Sequence, residues 1–291
     1  KQLKMREKIS PEKYPFIRYF IGDIRDKERL DYALSDVDYV FHAAAMKQVD
    51  TSEYNPTECI NTNIFGTQNL IAAAQKHKVK KFISISTDKA VNPINLYGAT
   101  KLAADKLVVA ANNLSGKNNT KFSVVRYGNV VNSRGSVIPF FKDLIKNKKK
   151  LPITDKSMTR FLISLEQSAN FVLECTDLMR GGEIFVPKIP SAKLMDIVNA
   201  LSENAKTKVV GVRPGEKIHE ILCSKEMSDY TLEFKNYYLI KPNINFFDGN
   251  LNYMISKNGE KGKKIKKDFE YSSDKNPIFL TANQIRKLIS T

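Results

Sequence analysis

Lys81-Phe82-Ile83-Ser84-Ile85-Ser86-Thr87-Asp88-Lys89, followed shortly by Tyr97-Gly98-Ala99-Thr100-Lys101, decides the architecture of this chain. The apolar run 81–86 reads as a buried strand, and the pair Asp88-Lys89 falls at its C-terminal end. A helix from about Tyr97 to Leu114 follows. Strand, loop and helix in this order belong to an open α/β sheet, whose ligands bind beyond the carboxyl ends of its strands. Tyr97 and Lys101 are four residues apart and share one helix face. An ammonium beside a phenol favours phenolate and lowers its pKa from about 10. A tyrosine tuned that way takes a proton from an alcohol while hydride leaves the carbon. Asp88 and Lys89 add a second acid–base pair, which implies chemistry of more than one step. The competing reading, an exposed helix with Lys101 in water and Tyr97 half buried, is disfavoured by the adjacent strand end.

Outward from this unit the pattern repeats. Phe16 to Ile21 reads as a strand ending at Gly22-Asp23-Ile24, after a charged, helix-like piece from Lys1 to Lys13. Lys27 to Leu34 has helical spacing, and Val37 to Ala45 is a strand running into small residues. Asn55-Pro56 opens a long helix through about His77, with Pro56 suited to a first turn. Phe122 to Tyr127 is a further strand. This alternation predicts a doubly wound, parallel, Rossmann-like sheet over residues 1–135. Beyond Asn132 the pattern is irregular, with helices near Pro139 to Lys146, Leu165 to Leu178 and Lys193 to Leu201. Strands are expected at Ile184 to Val186 and Val209 to Val212. Residues 136–242 therefore read mainly as a smaller substrate-binding region that returns one strand near 184–186. Residues 243–291 read as a polar, lysine-rich extension, with Gly259 to Lys267 as a loop.

The chain has 291 residues, 42% hydrophobic and 27% charged, in the range of a globular protein with a real core. No apolar run approaches the roughly 20 residues of a membrane helix, so no membrane partner is expected. No signal peptide is visible. Cys59, Cys175 and Cys223 are far apart with no C-x-x-C, and His42, His77 and His219 do not cluster, so neither disulfides nor a metal site are expected. A reduced cytoplasm follows by default. The formal charge of +16 admits a nucleic-acid-binding protein, with Lys148 to Lys150 and Lys261 to Lys267 as patches. No nucleic-acid motif accompanies the scattered lysines. A solvated surface, with a positive cleft for a polyanionic substrate and cofactor, is preferred.

No G-x-G-x-x-G or G-x-x-G-x-x-G occurs. A dinucleotide-binding sheet begins with a strand, that glycine turn and a helix whose N-terminus takes the pyrophosphate. The expectation is therefore a sheet lacking its first strands, in a fragment that is inactive alone, with Phe16 to Ile21 as the third strand.

With Tyr97-x-x-x-Lys101, Ala43-Ala44-Ala45 and Asn63-x-x-Gly66-Thr67 in place, the chain resembles the extended short-chain dehydrogenases/reductases. Within them it is similar to the C5-inverting UDP-N-acetylglucosamine 4,6-dehydratases. The likeness is carried by Ser86-Thr87-Asp88-Lys89-Ala90, Asn92 to Lys101, Val125-Arg126-Tyr127-Gly128-Asn129-Val130, Gly182 to Lys188, Arg213-Pro214-Gly215-Glu216-Lys217 and Phe269 to Ser273. It implies an NADP-dependent enzyme of UDP-N-acetylglucosamine that opens the route to pseudaminic acid on bacterial flagellins, and a homo-oligomer, with a hexamer as the family's suggestion.

The resemblance assigns roles. Tyr97, with Lys101 and Thr87, takes the C4 hydroxyl proton as hydride passes to NADP. Lys89, with its pKa depressed by burial and nearby positive charge, removes the C5 proton, and Asp88 protonates the departing C6 hydroxyl. Asp23, Ile24, Ala43, Ala44, Ala45 and Val130 join Tyr97 and Lys101 at the cofactor; helix capping by Asp23 and strand packing by the alanines stay open as alternatives. Lys47, Asn129, Arg134, Arg213, Glu216 and Tyr271 are implied at the substrate, Arg213 at the diphosphate. Arg160 is a weaker candidate; a surface salt bridge and a core tyrosine are the plain readings of Arg160 and Tyr271. His42 reads as structural. Retaining dehydratases carry Asp-Glu where this chain has Asp88-Lys89, and 4-epimerases lack a pair suited to elimination. These two remain the enzyme alternatives.

Overall fold

The computed structural model describes residues 2–115, 120–244 and 251–290. The chain runs through α1 (Gln2–Lys8), α2 (Lys27–Ala33), β1 (Tyr39–His42), α3 (Val49–Tyr54) and α4 (Pro56–Ile60); a π-turn at Asn61–Phe65 joins α4 to α5 (Gly66–Lys76). Next come β2 (Lys81–Thr87), a 3-10 turn at Asp88–Ala90, α6 (Leu96–Leu114), β3 (Lys121–Tyr127) and β4 (Asn129–Val130). The second half holds α7 (Val137–Lys146), β5 (Leu151–Ile153), β6 (Thr159–Ile163), α8 (Leu165–Leu178), β7 (Ile184–Pro187), β8 (Ser191–Lys193), α9 (Leu194–Leu201) and β9 (Thr207–Val209). It ends with β10 (Ile221–Cys223), β11 (Thr231–Glu233), β12 (Tyr237–Ile240), β13 (Lys263–Lys264), β14 (Tyr271–Ser272) and α10 (Ala282–Ser290).

The central sheet has seven strands in the order β1-β2-β3-β7-β12-β11-β13. From β1 to β7 all neighbours are parallel; β12, β11 and β13 continue antiparallel. Side chains alternate across the strands. Phe82, Phe122, Val124 and Val186 share one cluster with Leu70, Ile71 and Ala74 of α5 and Val108 of α6. Ile83, Val125 and Phe185 share another with Phe171, Val172 and Cys175 of α8. Helices thus bury both faces, which is why the strands lack a polar face. Lysines on β13 charge one edge of this sheet. Smaller sheets, β4-β6-β8 and β5-β9, pack with α7, α9 and α10 beyond the C-terminal ends of β2 and β3.

Several sequence expectations are corrected. Phe16 to Ile21 is not a strand: no strand pairs it among the described residues, and Phe16 and Ile21 stay exposed. The charged N-terminal helix covers Gln2–Lys8 only, and Lys1 lies outside the described residues. The strand expected from Val37 to Ala45 is Tyr39–His42, because only these residues pair with β2. The long helix from Pro56 is interrupted by the π-turn. Thr207–Val209, not Val209 to Val212, pairs with β5. Gly259 to Lys267 is not all loop, since Lys263 and Lys264 pair with β11. The described residues from 251 onward are built into the body: β14 pairs with β10, and Ile285 and Ile289 of α10 are buried against α9 residues.

Candidate active site

The site begins where β2 ends. Thr87 leads into the 3-10 turn that carries Asp88 and Lys89, and Asn95 starts α6 by accepting the Gly98 amide on its Oδ1 at 2.7 Å. Gly98 lets α6 approach this turn closely: a Cβ there would press into the carbonyl oxygen of Lys89 and lie 3.0 Å from Pro93 Cβ. Short turn, cap and glycine together bring Tyr97, on the first turn of α6, back against Thr87, with which its hydroxyl forms a hydrogen bond.

Asp88 is 1% exposed, and its Oδ1 accepts from the Thr87 hydroxyl at 2.9 Å and from the Lys89 ammonium at 3.1 Å. Lys89 Nζ also lies 3.2 Å from Oε1 of Glu220, just before β10. Arg160 on β6 places Nε 3.9 Å from the same Glu220 oxygen and Nη2 3.6 Å from Glu216. A chain of alternating charge thus runs Asp88, Lys89, Glu220, Arg160, Glu216. Sequence reasoning overlooked Glu220. The signal was adjacent: the quoted segment Arg213 to Lys217 stops three residues short of it.

Burial disfavours the Lys89 ammonium, but the carboxylates of Asp88 and Glu220 outweigh burial and the nearby Arg160, and hold Lys89 above the ordinary lysine range. The expected depression of this lysine is therefore corrected: its two carboxylate neighbours favour the ammonium. Burial likewise pushes the Tyr97 phenol up to about 12, against the pull of the Lys89 cation and the Thr87 hydrogen bond. The Lys89 cation is the largest influence that favours the Tyr97 phenolate. Lys101 Nζ donates to the Ile85 carbonyl at 2.8 Å, and burial lowers its own pKa.

The cleft over these residues, about 640 Å3, is lined by Thr87, Lys89, Tyr97, Asn129, Val130 and Lys47, and from the C-terminal half by Arg160, Arg213, Glu216, Lys217 and Glu220. Arg134 is exposed between the lining residues Ser133 and Gly135. Arg213 reaches the cleft on a segment pinned to the start of α6. There Asn95 Nδ2 donates to the Gly215 carbonyl at 2.8 Å, Lys217 Nζ donates to the Val91 carbonyl at 2.5 Å, and Gly215 takes a positive φ of 77°. Four buried acceptors have no partner among the described residues: Asp88 Oδ2, Glu220 Oε2, Glu216 Oε2 and Asn129 Oδ1. Buried acceptors need donors. Among the described residues no group of His, Cys, Asp and Glu could hold a metal ion.

Tyr271 does not reach the cleft. It is buried against Phe161 and Tyr238, and its hydroxyl bonds the amide and carbonyl of Ile189 at 2.9 and 2.8 Å. It is a core tyrosine, because its polar atom is already satisfied there. Asp23 is held by Arg25 at 2.7 Å, which draws its carboxyl down to about 2; Asp26, not Asp23, caps α2. Ile24 packs on Gly66. Ala43, Ala44 and Ala45 are exposed beyond β1. Asn63, within the π-turn, accepts from the Met46 amide at 2.8 Å and donates to the Met46 carbonyl at 2.9 Å and to Thr100 at 3.0 Å. It ties the loop after β1 to α6. His42 bonds Thr67 at 2.9 Å and is buried.

A doubly covered sheet with a Tyr-x-x-x-Lys helix at its strand ends and an acid–base pair beside it defines an extended short-chain dehydrogenase/reductase. The chain belongs to the family described as polysaccharide biosynthesis protein, whose model matches residues 1–242. It is 56% identical, over 99% of its length and 87% of the relative's, to the UDP-N-acetylglucosamine 4,6-dehydratase (inverting) of Campylobacter jejuni. It is 47% identical to a UDP-glucose 4-epimerase of Rickettsia bellii, over 78% of this chain and 67% of that one. The crystal structure of Pen from Bacillus thuringiensis superposes with a TM-score of 0.87 at 38% identity, covering 99% of this chain and 86% of that chain.

Proposed function

We propose that the protein is an inverting UDP-N-acetylglucosamine 4,6-dehydratase. The observation that carries this reading is the buried Asp88–Lys89 pair beside Tyr97 at the end of β2. An epimerase has no use for a second acid–base pair. The 56% identity to the inverting dehydratase supports the same choice.

The residues at the strand ends fit a nicotinamide dinucleotide: small exposed Ala43 to Ala45 permit close backbone approach, and Tyr97, Lys101 and Val130 flank the same end of the sheet. NADP is the proposed form, on the strength of the family resemblance. It would supply the hydride acceptor and donor for the redox changes at sugar C4 and C6. Tyr97 takes the C4 hydroxyl proton, with Thr87 orienting its phenol and the Lys89 charge favouring phenolate. The resulting ketone acidifies the C5 proton, which Lys89 removes after passing one proton from its ammonium to Asp88. Asp88 gives that proton to the C6 hydroxyl, which leaves as water. Reprotonation of C5 from solvent water on the opposite face inverts that centre. Arg213, Lys217 and Lys47 supply positive charge for the diphosphate, and Asn129 and Glu216 offer acceptors to hydroxyl groups.

The family resemblance extends the proposal to the first step of pseudaminic acid synthesis for flagellin glycosylation, in a cytoplasmic homo-oligomer. No helix among the described residues is long and apolar enough to cross a membrane. All three cysteines are buried free thiols, in keeping with a reducing compartment.

The test is incubation of protein expressed from its full coding sequence with UDP-N-acetylglucosamine and NADP in deuterated buffer, followed by proton NMR. A 4-keto, 6-methyl product carrying deuterium at an inverted C5 is expected; a plain 4-epimer sinks the proposal. Lys89→Ala is expected to stop loss of water, and an unchanged rate removes Lys89 from the base role.

A further inference from the structure

We propose that Glu220 is a positioning residue that fixes both the place and the proton count of the Asp88–Lys89 couple. Its side chain, 3% exposed, enters the site from the C-terminal half and sets Oε1 3.2 Å from Lys89 Nζ. Lys89 is thereby held between two carboxylates contributed by different parts of the fold, Asp88 at 3.1 Å and Glu220. The remaining Glu220 oxygen has no partner among the described residues, so the group is not consumed by structural hydrogen bonding.

The proton arithmetic of elimination shows why such a group is needed. This step rests on the dehydratase reading; the geometry does not. Removing C5–H requires a free lone pair on Lys89, and expelling the C6 hydroxyl as water requires a proton on Asp88. An ion pair of Asp88 carboxylate and Lys89 ammonium becomes that combination when one proton moves from Nζ to Oδ1. In the elimination the C5–H bond breaks and an N–H bond forms. The C5–H electron pair becomes the new C5–C6 double bond. The C6–O bond breaks as the Asp88 proton joins the departing oxygen. The couple ends as carboxylate and ammonium again, having exchanged no proton with solvent.

That cycle fails if Lys89 loses its proton beforehand, because Asp88 then has none to give. The charged and titratable groups facing Lys89 are Asp88 on its own turn, Glu220 before β10, Arg160 on β6, Tyr97 on α6 and Lys217 on the pinned segment. Without Glu220, Asp88 alone opposes two cations and burial, all of which drive the proton off. Glu220 keeps it on, consistent with the upward direction found for Lys89. Arg160, 3.9 Å from Glu220, in turn helps to hold that carboxylate in place.

The test compares the parent protein with Glu220→Gln and Glu220→Asp. Lysines are labelled with 13C at Cε, the Lys89 resonance is identified by its loss in Lys89→Arg, and its pH midpoint is followed by NMR. Glu220→Gln is expected to lower that midpoint by about one to three pH units, the effect of an opposite charge at this range. The alkaline fall of kcat is expected to come earlier by the same amount. Glu220→Asp keeps the charge but draws it back, and is expected to lie between. An unmoved Lys89 midpoint overturns the proposal, and so does a kcat that falls by one factor at every pH, the mark of a packing role. If the parent forms no 4-keto product, the function reading fails, and the NMR midpoint alone then decides for or against Glu220. Should Glu220→Gln not fold, the shift in Glu220→Asp decides in the same way.

Discussion

Replacing Gly98 by alanine sets two effects of opposite sign against each other. Gly98 lies inside α6, where alanine is favoured over glycine by about 1 kcal/mol. If helix propensity decided the outcome, the variant would be more stable. The added Cβ, however, would sit 3.0 Å from Pro93 Cβ and 3.2 Å from the Lys89 carbonyl carbon, with the carbonyl oxygen closer still. That oxygen is backbone and cannot swing aside as a side-chain tip can. The turn or the helix must withdraw by on the order of 0.5–1 Å, and overpacking of this kind costs roughly 1–3 kcal/mol. A net loss of about 0–2 kcal/mol is expected, a Tm lower by up to roughly 6 °C for a chain of this size. The displaced segment carries Asp88 and Lys89, so kcat is expected to fall about 100-fold, the scale of a 1 Å misplacement of reacting groups. Calorimetry gives the first number and the NMR assay of product formation the second. A Gly98→Ala protein as stable as the parent, with unchanged kcat, would refute the idea that this close approach sets the position of the acid–base pair.

Burial holds His42 down at about 3, well below its ordinary 6.5. Between these values the unfolded chain binds more protons, so this contribution to stability is complete above pH 6.5 and lost as pH falls toward 3. From pH 6.5 to 5 the loss is about 2 kcal/mol, readable as a falling urea midpoint, and His42→Gln is expected to flatten that part of the profile. Asn63→Ala leaves both the amide and the carbonyl of Met46 without their partner and is expected to cost about 2–4 kcal/mol in urea unfolding; a loss within error of zero would mean water replaces the amide. Tyr271→Phe removes two hydrogen bonds to Ile189. It is expected to lower stability by about 1–2 kcal/mol with an unchanged KM for the nucleotide sugar, and a raised KM would return Tyr271 to the substrate.

The catalytic half was legible because its information is local. A buried strand, a charged pair at its end and a Tyr-x-x-x-Lys helix lie within one strand–loop–helix unit, and their order fixes where they meet. What the sequence hid is long-range. Glu220 joins Lys89 across more than a hundred residues, and no periodicity in β10 marks it. Phe16 to Ile21 has the composition of a strand, yet strand formation needs a pairing neighbour. β11, β12 and β13 are short, and their place beside β7 depends on antiparallel pairing that no spacing announces. The protonation states were also misjudged. Burial alone predicts a depressed lysine at position 89, and the carboxylates of Asp88 and Glu220 together reverse the sign. Tyr271 misled for a related reason: its neighbours in sequence match the family, while its hydroxyl is committed to the backbone of Ile189.

The pinning of the Arg213 segment has a consequence for how such enzymes can be rebuilt. Asn95 caps the helix that carries Tyr97 and, through the other atom of the same amide, holds the Gly215 carbonyl; Lys217 closes a second link to Val91. The groups that would choose the sugar nucleotide and the groups that would transform it are therefore not separate modules. A chimaera that grafts the 213–217 segment of a relative to change substrate preference also alters the partners of the helix cap. Residues 91 and 95 must travel with the graft if recognition is to be exchanged without retuning the chemistry.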